Sequence, residues 1–155
     1  MNIRRIIQQI ACSICQGEPE EKPQIKLLAL PASIVMQDIQ PLNLKMMYPG
    51  LIDSSYFYTK AEGWAEVFDF IFFKFNMPKY LIDRMDCDDF AILLKGLVTS
   101  FFGLNYFGVV FGNTPAGYHA YNIFKTEVGL LQLEPQTGNM GELGEHGYKA
   151  EYILL

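Results

Sequence analysis

An α+β fold is predicted for this chain, with helices in its first part packed on an antiparallel sheet built by its second. Three observations predict it. Apolar residues recur at helical spacing in two stretches, Trp64, Val67, Phe68, Ile71, Phe72 and Phe75 in one and Phe90, Ala91, Leu93, Leu94, Leu97 and Val98 in the other. Beyond Phe102 the pattern changes to short aromatic and β-branched runs bounded by Gly, Asn and Pro. Finally, 155 residues of which 50% are hydrophobic can bury one substantial core.

Taken in order, Ile3, Ile6, Ile7 and Ile10 give the start an amphipathic helix, and Gly17-Glu18-Pro19-Glu20-Glu21-Lys22-Pro23 follows as a charged, proline-bearing linker. Residues 1–23 are therefore expected to form an arm, and 24–155 one domain. Pro31, Pro41, Pro49 and Gly50 divide residues 24–58 into extended segments with turns. A helix is expected from Glu62 to Phe75, stopped by Asn76-Met77-Pro78, and a central helix from Asp88 to about Phe102. Strands are expected at Asn105–Gly112, Tyr118–Lys125, Leu130–Leu133 and Tyr152–Leu154, with Glu127-Val128-Gly129 turning the second into the third.

Composition narrows the function classes. A net charge of −5 leaves no basic stripe to neutralise phosphates, so nucleic acid is not an expected partner. The longest apolar run, Val67 to Phe75, carries Asp69 and Lys74 and is far shorter than the roughly 20 residues of a membrane span. Gln8 and Gln9 interrupt the apolar stretch after Arg4 and Arg5, which argues against a signal peptide. Of the 3 cysteines, Cys12 and Cys15 form a CxxC with no second pair to complete a zinc site, and they read as reduced thiols. A reducing compartment follows, with the cytoplasm, or release with a phage or secreted particle, as the expected location. The aromatic content of 14% serves equally for a dense core, a groove or a contact with another chain.

The most informative stretch is Asp86-Cys87-Asp88-Asp89-Phe90-Ala91. It puts a thiol in the first turn of a helix, where free backbone N–H groups and the positive dipole end stabilise a thiolate or an oxyanion. Cys87 is thus a candidate nucleophile. A second reading stands beside it, in which Cys87 is a small core residue and Asp86, Asp88 and Asp89 cap the helix.

Two further residues bear on that choice. His119 lies near the start of the strand Tyr118-His119-Ala120-Tyr121-Asn122, and Glu134 ends the strand Leu130-Leu131-Gln132-Leu133 where Pro135 stops the ladder. Adjacent antiparallel strands with a tight turn can bring Glu134 to the imidazole. A thiol with a pKa of about 8.5 is mostly protonated at neutral pH, an imidazole can take its proton, and an acid can orient that imidazole. His146, in Gly144-Glu145-His146-Gly147, reads as solvated.

In these motifs, DCDDFA, GYHAYN and LEPQTG, the chain resembles the papain-like and transglutaminase-like cysteine peptidases. It is similar in particular to the protease domain that follows the sugar-binding domain of fungal chimerolectins, the lectin-MOA-related group. The resemblance covers roughly residues 53–155. It implies a papain-like core, with the central helix bearing the cysteine on a sheet bearing the histidine and acid. It also implies a hydrolase of peptide or amide bonds, with Cys87 as nucleophile, His119 as general base and acid, Glu134 as orienting acid and a peptide or protein as substrate. The stretch from Tyr80 to Asp86 has no counterpart of the glutamine that completes papain's oxyanion hole.

The same resemblance carries over calcium dependence, with Asp88 and Asp89 as metal ligands. Clustered carboxylates suit calcium's six to eight oxygens, although no EF-hand spacing is present. The alternative function is a non-catalytic papain-like module used for binding or assembly, associated with a phage or a cell surface.

Overall fold

The computed structural model describes residues 21–48, 50–75 and 77–155. The helix expected near the start, together with Cys12 and Cys15, lies outside the described residues. Strand β1 (Leu28–Pro31) leads into helix α1 (Ala32–Ile39), which is followed by β2 (Lys45–Met46) and β3 (Ser55–Tyr58). Helices α2 (Ala61–Lys74) and α3 (Cys87–Phe102) come next. Then follow β4 (Phe107–Thr114), β5 (Gly117–Thr126), β6 (Gly129–Leu133), β7 (Met140–Glu142) and β8 (Lys149–Leu154).

The strands form a two-stranded ribbon, β1–β3, and a six-stranded sheet of order β2-β8-β4-β5-β6-β7. All pairs in the large sheet are antiparallel except β2 with β8. Its two faces are covered differently. On one face α2 and α3 bury Trp64, Phe68, Leu94 and Val98 against Phe107, Phe124 and Leu131. Fully burying such side chains is worth about 1.5–3 kcal/mol each. The Trp64 indole also donates to the Lys125 carbonyl at 2.6 Å, so α2 is fixed to β5 in register as well as by packing. The many aromatics thus serve mainly as core. On the other face Val35 and Ile39 of α1 and Tyr56 of β3 pack on Val110, Tyr121 and Ile153. Asp38 accepts hydrogen bonds there from the Tyr106 hydroxyl at 3.0 Å and the Lys125 ammonium at 2.7 Å.

The expected papain-like core needs correction. The described residues build one large mixed sheet covered on both faces. The second cover and the edge strand β2 come from residues 24–58, which the prolines mark only as turns. Ala32–Ile39 is helical because Pro31 stands just before its first turn, where a helix tolerates proline. Helix α3 ends at Gly103, whose left-handed φ of 67° turns the chain toward β4.

Candidate ligand groove

Cys87 is the first residue of α3, and Asp86 caps the helix. A reciprocal capping box joins Asp86 and Asp89, and the Asp86 N–H donates to Asp89 Oδ2 at 3.2 Å. The carboxylates of Asp86 and Asp88 and the Cys87 thiol lie within 4.8 Å of one another. The hydrogen bond from Asp86 raises Asp88 above the ordinary carboxylate pKa, and burial adds to the effect. Two carboxylates this close together make a place a cation can occupy.

Cys87 itself is half-buried and packs with Phe111 and Leu154 against Ala91, Val109 and Ala120. Strand alternation decides what it meets on β5. Ala120 and Asn122 face α3, and the Asn122 amide donates to the Ala91 carbonyl at 2.9 Å. His119 and Tyr121 point to the other face, where Tyr121 is in the α1-side core. Among the described residues no hydrogen bond joins the Cys87 thiol to the His119 ring.

His119 and Glu134 do come together. His119 Nε2 lies 2.6 Å from Glu134 Oε2. Glu134 follows β6 at the start of a tight turn in which its carbonyl accepts from the Gly138 N–H at 2.8 Å. Its carboxylate is heavily used. Oε2 also accepts from the Tyr148 hydroxyl at 3.3 Å, and Oε1 accepts from the Gln136 N–H at 3.2 Å. Burial, and then the Glu134 charge beside it, push the Tyr148 phenol up, which keeps it a donor. The Tyr148 ring meets Tyr121 edge-on at 4.9 Å and His119 at 6.3 Å.

These groups wall a groove of about 660 Å³. Tyr148 supplies aromatic surface with the fully buried Tyr121 behind it, Gln136, Asn139 and Thr137 line the β6–β7 side, and the exposed His146 also lines it. Cys87 does not line it. His146, expected to be merely solvated, sits in a loop pinned by the buried Gln132. The Gln132 amide donates to the Glu145 carbonyl at 3.2 Å and its oxygen accepts from the Gly144 N–H at 3.0 Å. His146 has a left-handed φ of 59°. No local sequence signal marks that role, because the clamp comes from another strand.

The family model for the ricin-type beta-trefoil lectin C-terminal domain matches residues 43–155. The chain belongs to that family. Solved structures that share its fold include PSL1a in its complex with E64 and the Polyporus squamosus lectin bound to the human-type influenza-binding epitope Neu5Acα2-6Galβ1-4GlcNAc. PSL1a is 24% identical with a TM-score of 0.68, over 83% of this chain and 51% of that one. For the Polyporus lectin the identity is 23% and the TM-score 0.62, over 83% and 50%. This lectin C-terminal domain spans about half the length of either neighbour. No curated protein matches it.

Family and fold overturn the expected kinship. The chain stands with lectins and not with papain-like or transglutaminase-like peptidases, so the expectations of a cysteine hydrolase, of an enzyme and of a peptide substrate are corrected. Of the three expected site residues, the structure joins His119 to Glu134 and packs Cys87 against Ala91, Val109 and Ala120. Among the described residues, no helix is long and apolar enough to cross a membrane.

Proposed function

We propose that this chain is a non-catalytic binding module that takes a saccharide in the groove between β5, the β6–β7 turn and the loop before β8. The observation that carries the reading is the lining of that groove. Sugars present apolar C–H faces and dense hydroxyls, and a concave site with the Tyr148 ring beside amide, hydroxyl and imidazole groups meets both. Membership in a lectin-domain family supports it, as does the glycan seen on the Polyporus squamosus lectin. His119 and Glu134 then serve as the groove's wall, their hydrogen bond holding the ring and Tyr148 in place. Cys87 remains a helix-start thiol in the core.

Calcium enters this proposal at the helix start, through Asp86 and Asp88, with water supplying the rest of its oxygen ligands. Asp86 and Asp89 both also hold the capping box, so Asp88 is the carboxylate with least other work, and a thiol is too soft a donor for this ion. The metal would hold the first turn of α3 against carboxylate repulsion.

The test is calorimetric titration of the full chain with Galβ1-4GlcNAc and with Neu5Acα2-6Galβ1-4GlcNAc. Saturable binding that is weakened in Asn139→Ala and in Tyr148→Phe, and unchanged in Cys87→Ala, is the expected result. Absence of binding to both, or binding that ignores the groove variants, overturns the proposal.

A further inference from the structure

We infer that the loop of residues 78–86 ahead of α3 is a membrane-contact site, whose tip Tyr80-Leu81-Ile82 enters the surface of a bilayer bearing anionic lipid. The inference is independent of what the groove binds. Residues 78–84 are exposed without a break, and Tyr80, Leu81 and Ile82 keep 51%, 49% and 74% of their surface open. Exposed apolar residues scattered singly are ordinary on a protein, but three in succession on one turn form a patch. A turn this short buries far less than the roughly 800 Å² that each partner gives to a stable protein interface, whereas a lipid surface takes it in from all sides.

The backbone of the tip is prepared to leave water. Leu81 and Met85 form an antiparallel bridge in which the Leu81 N–H donates to the Met85 carbonyl at 2.9 Å. The Leu81 carbonyl in turn accepts from the N–H groups of Arg84 at 3.1 Å and Met85 at 2.8 Å. The Asp83 N–H, at a left-handed φ of 58°, donates to Asp86 Oδ2 at 3.3 Å and ties the turn to the cap of α3. A backbone N–H that loses water without another partner is costly in lipid. Leu81, Asp83, Arg84 and Met85 carry their acceptors with them, so the turn can bring its apolar side chains into the bilayer surface with few donors stranded.

Charge decides which lipid. Lys79 and Arg84 flank the tip, both are exposed, and among the described residues neither is in an ion pair. Asp83 is the one acid between them, and they outnumber it. The acids that follow, Asp86, Asp88 and Asp89, are half-buried at the helix start, where Asp86 and Asp89 hold the capping box. Long basic side chains reach headgroup phosphates and carboxylates while the apolar residues beside them lie deeper, and a tyrosine ring suits the headgroup level. On a chain of net charge −5, a cationic rim around an apolar tip sets the one orientation in which attraction and insertion act together.

The experiment is co-sedimentation of the full chain with vesicles of phosphatidylcholine and phosphatidylserine in equal parts, and with phosphatidylcholine vesicles alone. The wild type should partition onto the mixed vesicles about tenfold more strongly than onto the neutral ones. Ile82→Ser should lower partition onto the mixed vesicles about tenfold and Lys79→Gln about fivefold, both at the wild-type melting temperature because these side chains are exposed. In Tyr80→Trp the new indole should emit at shorter wavelength on the mixed vesicles, against a constant signal from the fully buried Trp64. No co-sedimentation with the mixed vesicles, equal partition onto the neutral ones, or partition that Ile82→Ser leaves unchanged overturns the inference. Self-association in solution that is lost in Ile82→Ser would assign the tip to a second copy of the chain and overturn it as well.

Discussion

Glu134 Oε2 stands 2.6 Å from His119 Nε2 and 3.3 Å from the Tyr148 hydroxyl, so one carboxylate joins β5 to the start of β8. The groove wall depends on it. Glu134→Ala strands a half-buried imidazole and phenol without their acceptor, at a cost of about 1–3 kcal/mol. Urea denaturation should show that loss as a lower midpoint with an unchanged slope. A midpoint equal to wild type would mean that the carboxylate does not hold the wall.

Asp88 gives a pH signature. Its folded-state pKa is raised, first by the Asp86 hydrogen bond and then by burial, so the native state holds a proton that the unfolded chain releases. That preference favours the native state in acid and is lost as pH rises from about 4 through the folded pKa. Asp88→Asn should therefore be more stable than wild type at neutral pH, with the difference shrinking toward acid. Calcium should raise the wild-type melting temperature and leave Asp88→Asn unmoved. A calcium response that persists in the variant would remove Asp88 from the metal proposal.

Lys95 behaves oppositely. Burial of its ammonium, which donates to the Phe107 carbonyl at 2.7 Å, lowers its pKa to about 8, against an upward pull from Asp53. Between about pH 8 and the ordinary lysine value near 10.4 the unfolded chain binds the extra proton, so this residue makes the protein more stable as pH rises. Subtracting the pH–stability curve of Lys95→Met from that of wild type should isolate the rise. A flat difference would contradict the burial of the ammonium.

Gly112 sits where β4 slips register against β8, and a Cβ there would fall 2.1 Å from the Lys149 carbonyl oxygen. Gly112→Ala should force the strands apart and cost about 1–3 kcal/mol, read as a lower melting temperature. Because β8 leads from Tyr148, saccharide binding should weaken in the same variant. An unaltered melting temperature would show that the strands can part freely.

The parts of this fold with one-sided burial were legible in the sequence. Trp64, Val67, Phe68 and Ile71 mark the inner face of α2, and Leu94 and Val98 that of α3. α1 was not, since a helix that starts directly after Pro31 looks like another break. Nor was the geometry around Cys87. From Ala120 to Phe124 every residue of β5 is buried, because both faces of the sheet are covered, and so alternation of polarity does not reveal that His119 and Ala120 point apart. His119 and Glu134 were legible as a pair because a two-residue hairpin turn fixes the β5–β6 register. The groove was not, since His146 takes its place from Gln132, a strand and a half earlier in the chain.

The measurement that tests the central claim most directly is titration of wild type and Tyr148→Phe with Galβ1-4GlcNAc and with Neu5Acα2-6Galβ1-4GlcNAc, followed by the backbone amide shifts of the groove residues. The account predicts saturable shifts concentrated at Gln136, Asn139, His146 and Tyr148, weaker in the variant. Saturation without shifts at those residues, or no saturation with either sugar, would contradict it.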